Sequence, residues 1–237
     1  MCAVIGVIVQ NPSKEDFEMI RRVFQESKIR GMHATGISFL PKWSAGIETI
    51  QDPIPADAFV EKYMHNDNLK DMVSDDGNLY MIGHCRYSTS DLEYNQPLYY
   101  NEKSIVHNGV ITQELPEKWK ELYNYDCITK NDSELVLHSD DALKEFSHMS
   151  MGVVELYLNR SIRFYRNGKR PLYFTSLRNG YVVTSTSDIA RRAGLEMPSE
   201  VPMNTYMTID SNLITDIKKV YVDNLDLQEV EYETVSI

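Results

Sequence analysis

The sequence predicts an α+β domain in which antiparallel sheets are covered by helices. Two observations lead there: β-branched runs gather at both ends of the chain with amphipathic stretches between them, and Asn-Gly pairs at 167–168 and 179–180 suit tight hairpin turns. Strands grouped in this way argue against alternating βαβ units around a parallel sheet. At 237 residues and 42% hydrophobic content the chain has enough apolar material for a continuous core. It shows no repeat, low-complexity tract or linker, so residues 1–237 read as a single domain with an acidic tail at 223–237.

The first strand runs from Cys2 to Val9 and stops at Asn11-Pro12. Ser13 is a helix N-cap, with Glu15 and Asp16 in the first turn and Phe17, Ile20, Val23 and Phe24 on one face of a helix that ends near Arg30-Gly31. Strand character resumes from Gly36 to Leu40. A polar helix is expected over Ala56 to Ser74, then strands over Leu79 to His84 and Ser104 to His107. Two helices follow, Leu115 to Tyr123 and Asp132 to Phe146. The second is capped by Asp132 or Asn131, with Glu134 and Glu145 outward and Leu135, Leu137 and Leu143 inward. Strands then follow at Gly152 to Leu158, Ser161 to Tyr165, Leu172 to Thr175, Tyr181 to Ser185 and Tyr206 to Ile209, with a last turn near Ser211-Asn212.

Composition excludes several classes of function. A formal net charge of -11 opposes adhesion to phosphate backbones and anionic membranes, so no nucleic-acid partner is expected. No stretch approaches the roughly 20 apolar residues that span a bilayer, and the apolar opening run lacks the basic leader and cleavage site of a signal peptide. Three cysteines, at 2, 85 and 127, are too few and odd in number for a disulfide framework, which points to the reducing cytoplasm. His65, His138 and His148 with Cys85 and Cys127 show no spacing of the zinc type, so no structural or catalytic metal is expected.

Cys2 follows the initiator methionine directly. Removal of Met1, which a small second residue permits, leaves a thiol and a free α-amine on one residue. An α-amine titrates near 7.7–8.0 and can take the thiol proton at neutral pH. Taken alone, Cys2 equally fits a small buried residue that opens a core strand. Further along stand Arg30-Gly31-Met32-His33-Ala34-Thr35-Gly36, Gly83-His84-Cys85-Arg86-Tyr87-Ser88-Thr89, His107-Asn108-Gly109 and Asn131-Asp132-Ser133-Glu134. Their order and spacing, together with Asn95-Gln96-Pro97, Asn167-Gly168-Lys169-Arg170-Pro171-Leu172 and Thr184-Ser185-Thr186-Ser187-Asp188, resemble class II glutamine amidotransferase domains. These are the N-terminal-nucleophile hydrolases found at the front of glucosamine-6-phosphate synthase and the purine-pathway amidophosphoribosyltransferase. The resemblance covers residues 2 to about 215.

The resemblance implies a four-layer αββα sandwich of two antiparallel sheets and a cofactor-free hydrolysis of the side-chain amide of L-glutamine. Cys2 would be the nucleophile and would form a thioester, with Asn108 and the backbone N–H of Gly109 as the oxyanion hole. Arg86 would hold the α-carboxylate of glutamine with its planar fork, and Asp132 the α-ammonium. Ser88 and Thr89 would add hydrogen bonds to the substrate, and Arg30 and Gly31 would shape the loop beside the nucleophile. Each residue also has a plainer reading: Asn108-Gly109 as a turn, Arg86 as a strand-end arginine, Asp132 as a helix cap. His84 and His107 read as packed, hydrogen-bonded histidines rather than bases. Relatives carry a second, ammonia-consuming domain; here the acceptor is expected on a separate synthase or transferase subunit. Two other readings stay open, a silent glutamine-binding regulatory subunit and an N-terminal-cysteine hydrolase of another amide.

Overall fold

The alternation along the first strand decides how the layers stack. In the computed structural model, which describes residues 1–88 and 92–221, strand β1 (Ala3–Gln10) is buried on both faces. Ala3, Ile5, Val7 and Val9 point into one apolar cluster, and Val4 and Ile8 into another. Successive side chains in a strand point to opposite sides of a sheet, so a run apolar at nearly every position belongs in the interior with a layer on each side.

The chain continues through helix α1 (Lys14–Ser27), β2 (Ala34–Phe39), β3 (Glu48–Asp52), α2 (Ala56–Tyr63), α3 (Asn66–Asp71) and β4 (Asn78–Arg86). Then come β5 (Leu98–Tyr100), β6 (Lys103–Val110), α4 (Trp119–Tyr123), α5 (Ser133–His138), α6 (Ala142–Glu145), β7 (Ser150–Tyr157) and β8 (Ser161–Arg166). The remaining elements are β9 (Tyr173–Leu177), β10 (Gly180–Thr184), α7 (Ser187–Arg192), β11 (Ser199–Glu200), β12 (Thr205–Ile209) and β13 (Thr215–Lys219). One sheet has the order β11-β9-β10-β1-β4-β2-β3, the other β13-β12-β8-β7-β6-β5, and the paired strands are antiparallel.

Three apolar clusters fill the gaps between four layers. The outermost packs α1, α2, α3 and α7 on the first sheet through Phe24, Phe59, Leu69 and Ile189. The middle one joins the sheets face to face through Val4, Ile82, Val106, Val154 and Phe164. The third packs Trp119, Leu135, Leu143 and Phe146 on the far face of the second sheet. This is the expected αββα sandwich.

Helix α1 starts as its sequence dictates. Ser13 Oγ accepts from Asp16 N at 3.2 Å and Asp16 Oδ2 accepts from Ser13 N at 2.8 Å, a reciprocal capping box. Phe17, Ile20, Val23 and Phe24 are buried, each contributing roughly 1.5–3 kcal/mol.

Several expectations need correction. The helix over Ala56 to Ser74 is two, because the chain turns extended at His65 (φ -64°, ψ 157°). That over Asp132 to Phe146 is also two, broken where Ser139 is extended (ψ 139°) and its hydroxyl donates to Glu145 Oε2 at 2.7 Å. Glu134 faces inward at 5% exposure, since its carboxylate accepts from Ile128 N, Thr129 N and Thr129 Oγ1 in the preceding loop. Of the two expected caps, Asp132 holds the N-cap position of α5 without a side-chain bond to the helix, while Asn131 Oδ1 accepts from Ser133 N at 3.1 Å. Asn167-Gly168 is no hairpin: β8 and β9 lie in different sheets, so this segment crosses between layers. The turn at Asn179 is the pair Arg178-Asn179, with Gly180 already opposite Leu177. Strands β3, β5, β11 and β13 and helix α7 carry too little periodicity to be read from sequence. The acidic tail at 223–237 lies outside the described residues.

Candidate active site

Register carries Cys2 to the sheet ends. Because β1 pairs with β4 as Ala3 opposite Cys85, and β2 with β4 as Ala34 opposite Arg86, Cys2 and Arg86 emerge at the same edge of the first sheet. Strand β6 of the second sheet delivers Asn108 and Gly109 to that edge. Between them opens a cleft of about 660 Å³ lined by Cys2, His84, Arg86, Tyr87, Ser88, Gln96, His107, Gly109 and Asp132, with Trp119, Lys130 and Asn131 on the helical side.

The nitrogen of Cys2 donates to Asn108 Oδ1 at 3.2 Å. Asn108 is buried, and its Nδ2, the other half of the same amide, has no hydrogen-bond partner among the described residues. A buried donor left unpaired costs about 1–3 kcal/mol, so an orphan on the amide that holds the Cys2 nitrogen needs an explanation. Gly109 is forced by space: a Cβ there would stand 1.8 Å from Ser150 O and 2.5 Å from His107 Nε2. Its neighbour Val110 is held by the Ser150 hydroxyl, which accepts from Val110 N at 3.0 Å.

Arg30 reaches in from the turn after α1, its Nε donating to Cys2 O at 3.0 Å. Gly31 makes that approach possible, because a Cβ would lie 2.3 Å from Cys85 O and 2.4 Å from the carbonyl carbon of Arg86. The Cys2 thiol lies 3.9 Å from Tyr87 O, and Ser88 N donates to His33 Nδ1 at 2.8 Å. Arg86 Nη1 donates to Tyr94 O at 2.6 Å and to Asn95 Oδ1 at 2.8 Å, which fixes the guanidinium against the cleft wall. Asp132 Oδ2 accepts from Ile111 N at 2.6 Å and Thr112 N at 3.3 Å, so its carboxylate joins β6 to the start of α5 instead of capping that helix. Thr89 lies outside the described residues.

The two histidines differ. His107 Nε2 faces the Ser150 carbonyl at 3.2 Å and must donate there, so Nδ1 accepts from the Ser133 hydroxyl at 2.9 Å. Burial lowers its pKa and keeps the ring neutral. His84 is held at about 3, by burial first and then by Arg86 and His107, and its Nε2 has no hydrogen-bond partner among the described residues. The ring is packed as expected and takes a backbone hydrogen bond at His107, with Nε2 alone left over. Burial thus disfavours the charged form of both rings.

Sequence reasoning passed over the role of Gln96. Its Oε1 accepts from His107 N at 2.6 Å, and its Nε2 donates to His107 O at 3.2 Å and Ser133 Oγ at 3.0 Å. This buried amide ties the loop after β4 to β6 and α5. The signal available was a polar residue before a proline, which by itself names no partner. Among the described residues one group of three metal-ligating side chains lies close together, Cys127, Glu134 and His138, and none of the three lines this cleft. No helix among the described residues is long and apolar enough to cross a membrane.

No protein-family profile matches the sequence, and no curated protein matches it. Among solved structures, glutamine phosphoribosylpyrophosphate amidotransferase from B. subtilis, complexed with ADP and GMP, superposes on 92% of this chain with a TM-score of 0.67 at 18% identity. A structure described as the allosteric regulatory enzyme of purine biosynthesis superposes on 92% with a TM-score of 0.68, also at 18% identity. The chain therefore has the fold of these two structures, an αββα sandwich, with a cysteine immediately before its first strand. It spans about half the length of either structure, 49% in each case.

Proposed function

We propose that this chain hydrolyses the side-chain amide of L-glutamine with Cys2 as nucleophile. The observation that carries the reading is the Asn108 side chain, whose oxygen accepts from Cys2 N while its buried Nδ2 has no hydrogen-bond partner among the described residues. Once Met1 is removed, the Cys2 α-amine takes the thiol proton as Sγ attacks the amide carbon. The oxyanion is met by Asn108 Nδ2 and the Gly109 N–H. Collapse of the tetrahedral adduct breaks the C–N bond, and the proton held by the amine leaves with the nitrogen as ammonia. Water then attacks the thioester, releasing glutamate and restoring the thiol.

Arg86 and Asp132 flank the same cleft and suit the two charged ends of a free amino acid: the guanidinium fork takes the α-carboxylate, and the Asp132 oxygen not used by Ile111 and Thr112 takes the α-ammonium. Ser88 and Thr89 supply further hydrogen bonds, and Arg30 with Gly31 fixes the backbone of the nucleophile. We assign this chemistry to one unit, residues 2–215. Ammonia passes to an acceptor site outside that unit, on a separate synthase or transferase polypeptide. The B. subtilis amidotransferase, about twice as long as the part of it that matches, supports an acceptor site outside that part.

The test is glutamate release from L-glutamine by protein whose N-terminus is confirmed by intact mass, beside Cys2→Ala and with L-asparagine as control. The expected result is activity lost in the variant and absent with asparagine. Equal activity in Cys2→Ala removes the thiol mechanism. Tight glutamine binding to Cys2→Ala, with no turnover by the parent, supports the regulatory reading instead.

A further inference from the structure

A second constellation lies behind the wall of the cleft. Glu134 and His138 sit one turn apart on α5, and Cys127 approaches from the loop before it; the thiol sulfur, a carboxylate oxygen and an imidazole nitrogen all lie within 4.8 Å of one another. The His138 side chain is 10% exposed and Glu134's 6%. His138 Nε2 points at Glu134 Oε1 from 3.5 Å, yet it makes no hydrogen bond among the described residues. The ring is held in that direction by Tyr100, edge-on at 4.4 Å between centroids, and by Tyr125, stacked at 5.7 Å. A buried imidazole nitrogen, aimed at a carboxylate and left without a hydrogen bond, is an unmet lone pair or proton that needs an explanation.

We propose that Cys127, Glu134 and His138 bind a zinc(II) ion, with water in the fourth position. Thiolate sulfur, imidazole nitrogen and carboxylate oxygen are the donors this borderline-soft ion takes, and three protein ligands plus one open position is a recurring composition. Tetrahedral zinc at the usual bond lengths sets such donors roughly 3.4–3.6 Å apart. The cluster therefore closes by about 1 Å, within reach of a side-chain adjustment at the half-buried Cys127. Glu134 retains the capacity to ligate: each carboxylate oxygen has two acceptor directions, and among the described residues Oε1 is engaged by Ile128 N and the His138 contact. Burial, then Glu134 and Asp126, push the free Cys127 thiol up to about 12. Zinc binding displaces that proton to solvent, one per ion, and leaves the sulfur as thiolate.

The site has a consequence for the cleft. The carboxylate of Glu134 already holds the loop at Ile128 and Thr129, and the residues that follow, Asn131 and Asp132, line the cleft beside Arg86 and Cys2. A metal joining Cys127 to α5 closes the segment 127–138 on itself and stiffens that wall. The assignment stands apart from the glutamine reading, since none of its three ligands takes part in that chemistry.

The experiment is cobalt(II) and zinc(II) titration of the full chain in a Cys2→Ala background, which removes the active-site thiol as a competing ligand. Cobalt reports its own ligands: a thiolate-to-cobalt charge-transfer band and tetrahedral d–d bands are expected at one equivalent, bleached by zinc. Cys127→Ser should abolish the charge-transfer band. Cys127→Ser and His138→Gln should each weaken zinc binding by more than the roughly 10–100-fold that loss of an outer-shell partner costs. Both variants spare Glu134, whose loss frees three loop donors, and their fold is checked by circular dichroism. Should one fail to fold, the other carries the test. A band absent in the parent background, or affinity unchanged in a folded variant, overturns the site.

Discussion

Replacing Asn108 with alanine separates a catalytic side chain from a structural one. In the resting fold its amide makes one favourable contact, the 3.2 Å bond from Cys2 N, and holds one unfavourable group, the buried orphan Nδ2. The bond contributes about 0.5–1.5 kcal/mol and the orphan costs about 1–3 kcal/mol. Asn108→Ala removes both, so the two effects offset and folding stability should stay within about 1 kcal/mol of the parent. The transition state fares differently. In the proposed mechanism Nδ2 acquires its partner there, and deleting one oxyanion donor costs about 2.7–4 kcal/mol, or 10²–10³ in kcat. The predicted signature is thus a rate collapse in a protein as stable as the parent, read by steady-state glutamate release and by urea unfolding of the same preparations. Retention of more than about a tenth of the parent kcat would show that Nδ2 meets no developing charge. A loss of stability above about 2 kcal/mol would mean that the amide serves the fold.

Other outcomes follow from the same geometry. Gly31→Ala forces a methyl onto the backbone of Cys85 and Arg86 and should lower stability by about 1–3 kcal/mol, seen as a Tm drop of roughly 2–4 °C per kcal/mol. Arg86→Lys keeps the charge but loses the fork, so the KM for glutamine should rise about tenfold or more; an unchanged KM removes Arg86 from substrate binding. Glu155 is fully buried against the partly exposed Arg163 and Lys103, and Glu155→Ala leaves those charges without it, at a cost of about 3 kcal/mol in denaturant unfolding. Burial alone would raise the pKa of Glu155, but Arg163 and Lys103 bring it below the ordinary value, so the stabilisation it provides should persist above about 4.5 and fade as pH falls through its folded value. His84 is held at about 3 against 6.5 when unfolded, so the unfolded chain takes up a proton that the fold refuses. Stability should then decline from about pH 6.5 downward, and His84→Gln should flatten that decline in urea midpoints measured between pH 7 and 4.

The sequence by itself determined the features whose causes are local. A β-branched run at Ala3–Gln10 requires burial on both faces, and Ser13 with Asp16 requires a helix start, because period and capping act within a few residues. Cys2, Asn108, Gly109, Arg86 and Asp132 were also visible, and a family resemblance grouped them, though the packing that brings them together was not. Cys2 and Asn108 are 106 residues apart and meet only because two sheets stack with the ends of β1 and β6 at one edge. Tertiary structure alone decided the rest. It buried Glu134, by surrounding its carboxylate with loop N–H donors, although its sequence pattern put it outside. It turned Asn167-Gly168 from an apparent hairpin into a crossing between layers, since a turn signal does not say which sheet receives the next strand. It also brought Cys127 to His138 across a loop whose spacing matches no ligand pattern. Local chemistry names the groups; long-range packing selects their partners, and here packing is what leaves the Asn108 and His138 nitrogens without one among the described residues.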